Sequence, residues 1–121
     1  LDPVLHEGVY GFAALPARAE LRGMEPLATF QEDEGLTVVL KEEVALAHQV
    51  PLLFRAAWIT LRVHSDLQAV GLTAAFSQAL AQAGISCNIL AGARHDHLFV
   101  PVEEATRALA VLRELQRRGG V

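Results

Sequence analysis

Two hydrophobic periods alternate in a fixed order between residues 58 and 115, and that order leaves few folds open. Ile59-Thr60-Leu61-Arg62-Val63 alternates apolar and polar side chains, the period of a half-buried strand. A polar turn, His64 to Val70, closes on Gly71. Leu72, Ala75, Phe76, Ala79, Leu80 and Ala83 then recur at helical spacing, which predicts a helix over 73–83 with one apolar face. Gly84 stands where a helix commonly ends in a left-handed residue. Ile85–Leu90 and His97–Val102 read as strands joined in a hairpin around Ala93-Arg94. From Glu103, the positions Ala105, Ala108, Leu109, Leu112 and Leu115 predict a last helix, with Arg113, Arg117 and Arg118 near its negative end. Two one-sided helices need a sheet to cover. The helical crossover makes strands 58–63 and 85–90 parallel, either adjacent or next but one.

The first half repeats this plan in shortened form. Residues 8–15 read as a strand and 16–26 as a loop. Residues 26–31 and 36–40 read as a hairpin around Glu32-Asp33-Glu34-Gly35. Residues 41–48 form a short helix with Glu42 and Glu43 in its first turn, stopped before Pro51. No good helix separates the first strand from the hairpin. The expected fold is α+β: two ferredoxin-like βαββαβ lobes, the first abbreviated, over residues 1–57 and 58–121.

A net charge of −4 argues against a nucleic-acid partner, which selects a clustered basic face. No apolar run reaches the roughly 20 residues of a membrane span, so no membrane partner is expected. Cys87 is the single cysteine, which excludes an internal disulfide and makes the cytoplasm the expected compartment. Lys41 is the single lysine and no phosphate-binding Gly-x-x-x-x-Gly-Lys run occurs.

Three segments carry a family resemblance: Val70-Gly71-Leu72-Thr73-Ala74, Leu80-Ala81-Gln82-Ala83-Gly84-Ile85-Ser86, and Asp96-His97-Leu98-Phe99-Val100-Pro101. The chain resembles the ACT domain family, in the tandem arrangement of aspartokinase regulatory regions, the cytosolic arginine sensor and small stand-alone bacterial proteins. Glu34-Gly35-Leu36-Thr37-Val38-Val39 resembles the first half of that last group. The resemblance implies an amino-acid-binding allosteric regulator that does no catalysis, needs no cofactor and forms a homodimer. It implies a ligand site made by the turn before the helix, Ser65, Val70, Gly71 and Leu72, with Asp96 as the acidic partner of an α-amino group. The physics agrees: a helix N-terminus offers unpaired N–H donors to a carboxylate, and Gly71 lets a ligand reach the backbone.

Other chemistries are weaker. His95 and His97 share a strand face and, with His64, would make a three-histidine metal site for hydrolysis. No recognised ligand spacing accompanies them, so no metal is expected. Cys87 with His64 or His97 as base would make a nucleophile, but a mid-strand cysteine is usually a small buried hydrophobe. His64-Ser65-Asp66 read as turn formers, since a catalytic triad assembles in space rather than by adjacency. The second functional reading is an interaction module that dimerises or binds a partner enzyme without a ligand. The third is the metal-dependent enzyme.

Overall fold

The computed structural model describes residues 2–62 and 71–119. Among the described residues, seven strands and three helices run in the order β1 (Asp2–Leu5), β2 (Tyr10–Leu15), β3 (Ala28–Glu32), β4 (Gly35–Lys41), α1 (Glu42–Ala47), β5 (Phe54–Arg62), α2 (Leu72–Gln82), β6 (Asn88–Ala91), β7 (Asp96–Pro101) and α3 (Ala105–Arg117). A short 3-10 turn, Val102–Glu104, leads into α3. None of the helices is long and apolar enough to cross a membrane, among the described residues. The chain packs as two compact units, Gly8–Ala56 and Leu1–Glu7 with Ala57–Val121.

In the unit Gly8–Ala56 the strand order is β3-β4-β2-β5. The β3–β4 hairpin pairs Glu32 with Gly35, which puts the acidic turn at its tip, as its composition predicts. β2 pairs antiparallel with β4 from Tyr10↔Lys41 to Leu15↔Leu36, and with β5 at Tyr10↔Ala56, Gly11↔Arg55 and Phe12↔Phe54. Ala13, Met24, Val38, Leu40 and Ala45 form the buried core, with Leu21 and Val50 against it. The first helix of a complete lobe is missing here, as expected. Residues 16–27 take its place, and Leu21 and Met24 from this loop supply the apolar cover.

The second unit is a complete ferredoxin-like lobe. Its strand order is β1-β5-β7-β6. Strand β5 comes first in the βαββα succession, followed by α2, β6, β7 and α3, and β1 from the chain's start is the fourth strand. β1 pairs antiparallel with β5 over Asp2↔Arg62 to Leu5↔Ile59. The strand at residues 2–5 has no counterpart in the sequence pattern, and with it residues 2–7 pack in the later unit rather than the earlier one.

Alternation along β5 puts Ala57, Ile59 and Leu61 on one face, where they pack with Leu98, Val100, Phe76, Leu80, Ala108 and Leu112. Both helices therefore cover the same face of the sheet. Each fully buried Leu, Ile, Val or Phe side chain among them contributes about 1.5–3 kcal/mol. Gly84 ends α2 at φ 75. The Ile85 N–H donates to the Leu80 carbonyl at 3.0 Å and the Gly84 N–H to that of Ala81 at 2.9 Å, a full left-handed cap. Ile85 is spent on this cap and on the core, so β6 starts at Asn88 rather than at the expected Ile85.

Candidate functional site

The chain after β5 returns at Gly71, the N-cap of α2, with φ 96. That left-handed geometry favours glycine. A Cβ placed there would have no heavy atom within 4 Å, so the space beside this backbone is open among the described residues. The first bond of the helix runs from the Ala75 N–H to the Gly71 carbonyl, 3.0 Å. The N–H groups of Leu72, Thr73 and Ala74 thus lie outside the helical ladder. Acids fill the first turn of α1 (Glu42, Glu43) and the turn leading into α3 (Glu103, Glu104), whereas the first turn of α2 has none. The positive end of α2 is uncompensated by its own side chains.

Leu72 packs its side chain against the core, so only its backbone is offered to a ligand. Asp96 opens β7 opposite Ala91 and is partly buried. By strand parity it shares the face of Leu98 and Val100, the face that carries α2. Gly71, Leu72 and Asp96 therefore belong to one side of one lobe. Ser65 and Val70, and His64 of the metal reading, lie outside the described residues.

The other candidates separate. His97 falls on the opposite sheet face, where its Nδ1 accepts from the Trp58 indole N–H at 3.1 Å. Burial lowers its pKa; His95 adds to this and Asp96 opposes it. His95 Nδ1 is buried with no hydrogen-bond partner among the described residues. No group of three or more His, Cys, Asp or Glu side chains is placed to hold a metal, again among the described residues. Burial pushes the Cys87 thiol up to about 12. The anchors the sequence did not announce are His6 and Thr60, which meet at 2.7 Å between Nε2 and Oγ1. Period-two reading of β5 could have paired Thr60 with Trp58; nothing in residues 2–7 signalled His6.

Two ACT domain profiles match the chain, one over residues 1–57 and another over residues 54–114. No curated protein matches it. It is similar to a Vibrio cholerae protein of unknown function, described as a possible transport protein: 48% identity, 91% of this chain and 85% of that one, TM-score 0.85. The fold is also that of the aspartate kinase regulatory subunit from Thermus thermophilus, at 14% identity over 93% of this chain and 94% of that one, TM-score 0.67. The aspartokinase alpha and beta subunits match at 10% identity over 97% of this chain and 98% of that one, TM-score 0.70. The chain belongs to the ACT domain family, as a tandem of two ACT domains.

Proposed function

We propose that this protein is a non-catalytic, amino-acid-binding regulator that works as a homodimer. The observation that carries the reading is the head of α2: a left-handed glycine with open space beside it among the described residues, three backbone N–H groups outside the helical ladder and no acid in the first turn. A free amino acid presents a carboxylate for those donors and a cationic amine for Asp96. Charge-assisted hydrogen bonds of this kind contribute about 1.5–3 kcal/mol each. Regulation follows by population shift, because a ligand stabilises the arrangement it fits better by its differential affinity.

A thermal-shift screen of the free amino acids tests this. One class of amino acid raises the midpoint in a concentration-dependent way. Asp96→Asn weakens that ligand by about tenfold or more, since one neutralised partner of a desolvated ion pair removes at least about 1.4 kcal/mol. Gly71→Val abolishes binding, by blocking the approach and straining a left-handed position; circular dichroism checks that the fold survives. Gln78→Ala, on an exposed part of α2, leaves affinity unchanged. A ligand whose affinity survives both Gly71→Val and Asp96→Asn overturns the site assignment. A screen with no ligand overturns the sensor reading.

A further inference from the structure

On the sheet face opposite α2 and α3, strands β1, β5 and β7 bring His6, Trp58, Thr60 and His97 into one bonded group. The His6 ring stacks on Trp58 with centroids 3.5 Å apart and planes 11° apart. The His6 N–H extends the β1 ladder by donating to the Trp58 carbonyl at 2.9 Å. His6 Nε2 lies 2.7 Å from Thr60 Oγ1, and Thr60 Oγ1 lies 3.1 Å from His97 Nδ1. The same Nδ1 receives the indole N–H of Trp58 at 3.1 Å.

An indole nitrogen only donates. Nδ1 of His97 is therefore bare, its proton sits on Nε2 and the ring is neutral. A proton arriving on His6 keeps the hydrogen-bond chain intact, at the cost of burial and charge repulsion: Nε2–H donates to Thr60, whose hydroxyl donates on to His97. A proton arriving at Nδ1 of His97 is not, because it sets one N–H against another. The His97 ring also sits against Gly92, where a Cβ would meet Nε2 at 3.2 Å. Among the described residues, the charged and titratable groups on the cluster's sheet face are His6 just after β1, Arg62 from β5 and His95 from β7; Asp96, next to His97 in β7, points to the other face and acts through its charge. Burial, His95 and the His6–His97 repulsion favour neutral imidazoles, and Asp96 opposes them without prevailing.

We propose that His97 is a proton-operated catch for the N-terminal strand: neutral, it holds Trp58 and the stacked His6 in place, and protonation at Nδ1 loosens β1 from β5. The sign follows from linkage. A histidine whose folded pKa lies below its ordinary 6.5 contributes stability fully above that value and loses it as pH falls through the folded pKa. The catch stands on this geometry alone and is independent of any ligand.

Trp58 is the only tryptophan, so the emission reports the surroundings of this one ring. The experiment follows Trp58 emission and amide-exchange protection at Val4–His6 in the whole chain from about pH 7.5 to about pH 5, the range in which histidine changes charge. Protection at β1 falls several-fold, in step with the emission and with a midpoint below 6.5. Core amides of β4 keep their protection. His97→Gln retains an acceptor but takes up no proton, and the fall in β1 protection disappears, while Trp58 emission keeps only the part that follows His6, which stacks on the indole. Trp58→Phe removes the opposing N–H, and the NMR titration of His97 moves up toward its ordinary value. The proposal is overturned by unchanged β1 protection in the native chain, by a loss of β1 protection that persists in His97→Gln, or by a native emission change without loss of β1 protection. It is equally overturned by a His97 titration unmoved in Trp58→Phe, which decides the matter if His97→Gln does not fold.

Discussion

Cys87 shows how a residue that reads as reactive becomes inert by its surroundings. It packs against the core of the second unit, and burial takes its thiol from an ordinary 9.0 up to about 12. Each pKa unit is tenfold in thiolate fraction, so at about pH 8 the thiolate is scarcer by about a thousandfold. Alkylation of the native protein by iodoacetamide, followed by mass spectrometry, is expected to be slower by about that factor than for an exposed thiol. Labelling at the rate of free glutathione would show the site to be open and revive the nucleophile reading. At this scale the sequence was legible where strand period decides the face. Spacing of two places His95 and His97 together, and places Asp96 on the side of Leu98 and Val100. It was illegible where a partner comes from far along the chain: His6 reaches Thr60 across 54 residues, and no local pattern encodes that meeting.

Elements with a long, one-sided pattern were read nearly in place. The helix expected over 73–83 is Leu72–Gln82, and the last helix is Ala105–Arg117 after a turn of 3-10 helix. Within α3 the core takes Ala105, Ala108, Val111, Leu112 and Leu115, so the buried stripe leans toward Val111 and away from the expected Leu109. Short elements were not legible. β1 has four residues, one of them Pro3, and a proline carries no N–H for a ladder. As the end strand of its unit, β1 tolerates that proline, but a proline at residue 3 reads as a breaker. Helix α3 also supplies the clearest stability test. Leu112 is fully buried between helix and sheet. Leu112→Ala removes apolar contacts and leaves a cavity, so urea unfolding should show a loss of about 2–5 kcal/mol. Arg113→Ala, exposed on the next position, should stay within about 0.5 kcal/mol. Equal effects of the two would mean that α3 is not seated as described.

At the scale of the whole molecule, two ACT domains follow from the repeated order of strands and helices; what does not follow is that residues 2–7 pack with the later unit. The boundary falls inside β5, whose Phe54–Ala56 pairs with β2 and whose Ile59–Arg62 pairs with β1. The proposed homodimer belongs to this scale too. β3 is the end strand of its unit, and Phe30 on it is 70% exposed. An open strand edge with an apolar ring invites pairing with another chain. A two-fold interface uses the same patch from both copies, so each contact counts twice. One buried phenyl ring contributes about 2 kcal/mol, and two together correspond to about a thousandfold in dissociation constant. Sedimentation of the native chain at micromolar concentration should therefore give a species of twice 13.1 kDa. Phe30→Lys, which places a charge on the edge, should return it to monomer with an unchanged circular dichroism spectrum. A native chain that sediments only as monomer removes the dimer from the proposed function, and a dimer indifferent to Phe30→Lys moves the interface off this edge.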